Sequence, residues 1–207
     1  MGLLALGIGI AYLSGSFPTA YLAGRTRGVE LGDVGSGNYG ATNVFRTLGA
    51  GPAAIVLAVD VAKGFLPVLL ISRWLPVPAI EPVTHGVVLA VAAVLGHVFP
   101  VFLRFHGGKG VGTAFGAYLT LAPWPTLFAG LAWVAVVLLS RIVSLASLTA
   151  AVVLLAAVTL SDPEAGGDLA LFAFTAALVV FVFWTHRVNI GRLRRGEERR
   201  ITAGRRA

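Results

Sequence analysis

Three stretches of this 207-residue chain carry side chains able to hold a charged ligand. The first, DVGSGNYGATNVFR, begins at Asp33 and places Gly35, Gly37 and Gly40 among Ser36, Asn38, Thr42 and Asn43. Glycines alternating with small polar residues let successive backbone N–H groups turn toward a common point, and such nests bind phosphate-like anions. Arg46 closes the stretch with a guanidinium whose fork suits phosphate oxygens. The competing reading is a flexible turn with no ligand.

The second stretch, GHVFPVFLRFHGGKGVGTAFG, holds Gly107, Gly108, Lys109 and Gly110 just before a new apolar segment. Unpaired N–H groups and the positive dipole end make such a helix start a candidate anion site, with Lys109 adding charge. A nucleotide-binding P-loop requires Gly six residues before the Lys and Ser or Thr after it, but Leu103 and Gly110 stand there. The bland alternative is a glycine connector whose lysine reaches for headgroups. The third stretch, THRVNIGRLRRGEE, sets His186 and Asn189 three residues apart, so on a helix they share a face and can grip one polar ligand. Arg192, Arg194 and Arg195 read more simply as a membrane-surface belt. His97, followed by Phe99 and Pro100, either bonds a loop or satisfies a carbonyl freed by the proline. Asp60 and Lys63, spaced i, i+3 in AVDVAKGFLP, read as a buried ion pair serving the helices around it. No histidine pair has ligand spacing on one helix, so no metal is expected.

The elements that must position these groups are membrane helices. The chain is 57% hydrophobic and only 12% charged, about half the charged share of an ordinary soluble domain. With no cysteine it has neither disulfides nor a thiol nucleophile. Seven windows approach the roughly 20 residues that cross a bilayer: 3–24, 53–72, 85–103, 111–122, 126–140, 142–160 and 169–184. The expectation is an all-α polytopic bundle of one domain over residues 1–207, with seven spans. The fourth window is short, so a re-entrant pair around Pro123 and Pro125, with five crossings, is the alternative. The first window lacks the basic n-region of a signal peptide.

By the positive-inside rule, Arg25, Arg27 and Arg46, Arg104 and Lys109, Arg141 and the arginine-rich tail over 187–207 lie in the cytoplasm. Glu81, Asp162, Glu164 and Asp168 fall outside, and only Arg73 sits on the wrong side. The N-terminus is then outside, the C-terminus inside, and the three polar stretches share the cytoplasmic face. The net charge of +7 is not read as a nucleic-acid signal, because eight of the sixteen basic residues lie in that tail, where anionic lipid is the commoner partner.

Taken in order, GSGNYGATNVFR, GHVFPVFLRFHGGKGVGT and HRVNIGRLRRGEE, with VDVAKGFLP between the first two, resemble the bacterial membrane glycerol-3-phosphate acyltransferases that use acyl phosphate. The likeness runs from residue 14 to residue 200. It departs at Tyr39 and Gly112, neither of which removes a polar group of the family pattern. The resemblance implies transfer of a fatty acyl chain from acyl phosphate to the 1-hydroxyl of glycerol 3-phosphate, giving lysophosphatidic acid and phosphate. It implies no cofactor, no metal, no acyl-CoA and no obligate protein partner, and a site facing the cytoplasm at the plasma membrane. The His-x4-Asp motif of other glycerophosphate acyltransferases is missing.

Within that reading, Ser36, Arg46, Lys109, His186 and Asn189 are the catalytic candidates. Gly35, Gly37, Asn38, Thr42, Asn43, His97, Gly107, Gly108, Gly110 and Glu197 are expected to bind substrate. The first loop is assigned to acyl phosphate, and His186 with Asn189 to glycerol 3-phosphate. Direct transfer is favoured over an acylated Ser36, and the base is left open among His97, His186 and a substrate phosphate oxygen. Two rivals remain: a transporter of an organic phosphate, disfavoured because the polar groups sit in loops on one face, and a lipid-binding scaffold, which leaves the glycine loops without purpose.

Overall fold

The computed structural model describes residues 2–161 and 168–201. Asp162 and Glu164, assigned above to an outer loop, lie outside the described residues. Every regular element among the described residues is helical. The chain divides into two compact units, Met1–Leu121 and Ala122–Ala207.

Unit 1 contains α1 (Gly2–Ser16), α2 (Thr19–Arg25), α3 (Ala41–Leu48), α4 (Ala50–Trp74), α5 (Pro82–Val98) and α6 (Val111–Leu121). The first apolar window is broken at Phe17 and Pro18, because proline has no N–H for the ladder and its ring crowds the carbonyl four residues back. α5 starts on a cap, with Glu81 accepting from the Thr84 N–H at 2.9 Å, and it stops before Pro100. The first polar stretch is a loop only in its first half; its second half folds as α3, which carries Thr42, Asn43 and Arg46.

Unit 2 contains α7 (Pro123–Ser140), α8 (Val143–Ser161), α9 (Leu169–Thr185) and α10 (Arg187–Arg194). Pro123 and Pro125 sit in the first turn of α7, where a missing N–H costs nothing. α9 and α10 meet at a bend of 63°. Among the described residues five helices are long and apolar enough to cross a membrane, six if the bent pair is one span. α6, with 11 residues, rises only about 16 Å. Leu138, Leu139, Leu160 and Val180 are exposed, as lipid contact requires of an integral membrane protein.

Helices of unit 1 pack backbone to backbone at two reciprocal glycine contacts. A Cβ on Gly15 of α1 would run into the Ala93 carbonyl of α5, and one on Gly96 of α5 into the Tyr12 carbonyl of α1. Between α4 and α6, Gly64 faces the Thr113 carbonyl and Gly116 faces the Val61 carbonyl in the same way. Lipid offers no hydrophobic drive between helices, so close approach through small residues is what holds them. Around these contacts Ala11, Val56, Val68, Leu89 and Tyr118 are fully buried.

Gly64→Ala and Gly116→Ala are therefore expected to lower the thermal midpoint in detergent, each costing about 1–3 kcal/mol as an overpacked site does. Gly9→Ala, inside α1 where an added Cβ meets nothing within 4 Å, is the control and does not lower the midpoint.

Candidate active site

The first loop is shaped by one buried asparagine. Asn43, 1% exposed at the start of α3, accepts from the Ser36 N–H at 2.8 Å through Oδ1. Its amide donates to the Leu31 and Val34 carbonyls, both at 3.2 Å. One side chain thus satisfies three backbone groups of the loop. Gly35 and Gly37 both have left-handed φ, at 63° and 67°, which a side chain would strain. The turn presents Ser36 at the surface, with Arg46 half-buried one helical turn beyond Asn43. Thr42 lies half-buried on the same helix.

A second fastening holds the far side of this loop. The Tyr39 hydroxyl donates to Glu30 Oε1 at 2.7 Å, and the Gly32 N–H reaches the same oxygen at 3.4 Å. The Tyr39 bond holds the Glu30 carboxyl below its ordinary range, with the Gly32 N–H acting in the same direction. Partial burial pushes the Tyr39 phenol up to about 12, and the Glu30 charge adds to that rise.

The glycine–lysine loop rests on the end of α5. The Gly107 N–H donates to the Val98 carbonyl and the Gly108 N–H to the His97 carbonyl, each at 3.1 Å. Gly108 lies against His97 Nε2, so an added Cβ there would strike the ring. On its other side the ring faces buried Asp60, with Nδ1 to Oδ1 3.6 Å, while Lys63 donates to that oxygen at 2.7 Å. The expected Asp60–Lys63 pair is present, with the His97 ring packed beside it. Asn38 donates to the Gly107 carbonyl at 3.3 Å, joining the two loops. Gly110, at φ 81°, turns the chain into α6, and Lys109 beside it is half-buried.

In unit 2, His186 lies at the bend between α9 and α10, 3% exposed, with Nδ1 2.8 Å from the Val182 carbonyl. Asn189 follows one turn later on α10 and donates to Glu198 Oε1 at 2.6 Å. The same oxygen accepts from Ser144 at 2.9 Å, and the Ile201 N–H donates to the Arg141 carbonyl at 2.7 Å, tying the tail to the start of α8. Glu197, expected to bind substrate, is exposed and paired with Arg195 at 2.6 Å. Glu198 beside it is the buried acceptor, and sequence reasoning missed it: two adjacent glutamates past the end of a helix carry no signal of which turns inward. Glu30 was missed because its partner Tyr39 lies nine residues away in irregular chain.

A family model described as glycerol-3-phosphate acyltransferase matches residues 5–196. A glycerol-3-phosphate acyltransferase of Thermus thermophilus is 46% identical over 93% of this chain and 92% of its own. That of Myxococcus xanthus is 45% identical over 93% and 96%. The fold is similar to the crystal structure of PlsY (YgiH), an integral membrane glycerol 3-phosphate acyltransferase, in its glycerol 3-phosphate form, with a TM-score of 0.87 and 35% identity over 96% of both chains. The lysophosphatidic acid form of PlsY gives 0.82 at the same identity.

Two measurements test the fastenings. Glu30 titrates below 4.5 when folded, so its contribution to stability is present above that value and is lost as pH falls through the lowered one. Tyr39 rises from 10.0 to about 12, so its contribution is present below 10.0 and is lost as pH rises through about 12. The thermal midpoint of Tyr39→Phe should thus fall below wild type by a constant amount between about pH 5 and pH 9, and the gap should close at either extreme. Separately, Glu198→Ala should reduce both thermal midpoint and turnover, since it strands Asn189 and Ser144, whereas Glu197→Ala stays within about 0.5 kcal/mol of wild-type stability.

Proposed function

Because the chain belongs to the glycerol-3-phosphate acyltransferase family, we propose that it transfers a fatty acyl group from acyl phosphate to the 1-hydroxyl of glycerol 3-phosphate. The products are lysophosphatidic acid and inorganic phosphate. The observation that carries the reading is the pair of loops joined by the Asn38–Gly107 bond, each glycine-rich and each with a basic side chain.

Acyl phosphate is already an activated mixed anhydride, so the protein has to orient the hydroxyl and stabilise the charge that develops. In unit 1 the Gly35-Ser36-Gly37-Asn38 turn cradles the acyl-phosphate group, and Arg46 and Lys109 neutralise phosphate charge. In unit 2 His186 and Asn189 bind glycerol 3-phosphate, Asn189 being oriented by Glu198. The hydroxyl oxygen forms a bond to the acyl carbon as the bond from that carbon to the phosphate oxygen breaks. The proton passes to a phosphate oxygen. The enclosure of His97 between Asp60 and Gly108 supports that route over His97 as base. Ser36 donates a hydrogen bond and is not acylated.

The site faces the cytoplasm at the bacterial plasma membrane, with seven crossings, the N-terminus outside and the tail inside. Support comes from the arginine-rich 187–207 segment, which an even number of crossings would leave outside under the same N-terminal orientation. The family match over residues 5–196 supports a single acyltransferase domain.

Purified protein in detergent, given palmitoyl phosphate and glycerol 3-phosphate, is expected to release phosphate and form lysophosphatidic acid. Arg46→Ala should retain the wild-type thermal midpoint yet lose turnover by at least about a hundredfold. Near-normal kcat/KM in that variant, or a trapped acyl-enzyme on Ser36, would overturn the assigned roles.

A further inference from the structure

The turn between α5 and the glycine–lysine loop shows apolar side chains at its surface, where the first loop shows polar ones. Val101, Phe102 and Phe105 are exposed, both phenylalanines at 59%, whereas the first loop exposes Asp33 and Ser36. The chain leaves α5 at Pro100, makes one turn of 3-10 helix over Val101–Leu103, and reverses at Arg104 and Phe105, both left-handed with φ 50° and 64°. Residues with a Cβ keep that conformation only where their surroundings hold it. Here the Leu103 and Phe105 N–H groups donate to the Pro100 carbonyl at 3.1 and 2.9 Å, and the His106 N–H donates to the Leu103 carbonyl at 3.0 Å. These bonds close the backbone and leave both rings at the surface.

The length of α5 says what lies against that surface. α5 starts on a charged cap, Glu81, which belongs at one face of the bilayer, and its 17 residues rise about 26 Å. A hydrocarbon core is roughly 30 Å thick, so the turn that follows reaches the opposite boundary. Val91 and Leu95, exposed on α5 itself, are apolar as well. Exposed rings at that boundary belong in hydrocarbon, and Arg104 between them, also exposed, carries the charge that meets headgroup phosphates on a flexible stem.

We propose that the turn over 101–106 is seated through Phe102 and Phe105 in the phospholipid leaflet beside the catalytic loops, and that this holds the glycine–lysine loop from the lipid side at the depth of the phosphates. Phe102 and Phe105 are then positioning residues, since the Gly107 and Gly108 N–H groups that follow them fold straight back onto α5. The inference rests on the reading of acyl phosphate as donor, a lipid whose own phosphate lies at that depth.

The chain has no cysteine, so Phe102→Cys and, as control on the first loop, Asp33→Cys each carry one spin label in full-length protein in phosphatidylglycerol–phosphatidylcholine vesicles. The label at 102 is expected to relax more with oxygen, which concentrates in hydrocarbon, than with a water-soluble nickel complex, and the label at 33 the reverse. A nickel-dominated response at 102 puts the turn in water, and shielding from both reagents means that protein, such as a second copy, covers it; either overturns the proposal. In the same vesicles, Phe102→Ser combined with Phe105→Ser is expected to lower kcat/KM for palmitoyl phosphate about tenfold, with KM for glycerol 3-phosphate unchanged, because misplaced groups lose rate steeply. Phe102→Leu combined with Phe105→Leu, still apolar, keeps the wild-type value. Unchanged kcat/KM in the serine pair, or an equal loss in the leucine pair, removes the positioning role; if the serine pair does not fold, the spin-label contrast decides. If the wild-type protein fails to consume palmitoyl phosphate while the label at 102 still reports hydrocarbon, the donor assignment falls and the seating stands.

Discussion

Unit 1 is organised around a carboxylate that has been taken out of water. Asp60 is 4% exposed among apolar helices, and a charge in that position persists only if it is paired and hydrogen-bonded. Lys63 supplies the pair from its own helix at 2.7 Å, and His97 comes to the same oxygen from α5 at 3.6 Å. Removing one partner of such a buried pair costs about 3–5 kcal/mol, because the other charge is left stranded. The consequence reaches beyond stability. His97 packs beside Asp60 on one side of its ring, has Gly108 against the other, and accepts the Gly108 N–H on its carbonyl. The position of the glycine–lysine loop is thereby set from inside the helix bundle of unit 1.

The residues that hold the loops differ from those proposed to meet substrate. Asn43 spends its whole amide on the chain around Ser36, so the turn keeps its shape before any ligand arrives. Tyr39 and Glu30 fasten the opposite side, and in unit 2 Glu198 orients Asn189. This division suits transfer from an activated donor, where positioning and preorganised charge supply most of the acceleration. A loop that had to be ordered by the substrate would spend binding free energy on its own entropy.

Much of this was legible along the chain. Apolar runs marked the helices, although the windows 3–24 and 85–103 ran through Pro18 and Pro100, where a missing donor and a crowded ring end α1 and α5. Gly107 to Gly110 did lead into a helix, and Asp60 with Lys63 did pair, since i, i+3 spacing places both on one face. Less legible was α3: Thr42, Asn43 and Arg46 looked like loop, because small polar residues favour turns unless packing chooses otherwise, and here buried Val44 and Ala53 make that choice.

Length, polarity and local spacing are properties of the chain itself, and they settled an all-helical membrane protein with three polar segments and named the acyltransferase family. Contacts between residues distant in sequence are not local properties. The backbone approach of Gly64 to Thr113, the turn of Glu198 rather than Glu197 toward Asn189, and the seating of Gly108 against the His97 ring were decided only when the helices packed. In a medium without water every buried polar group must find its partner inside the protein, and only the tertiary structure says which one is within reach.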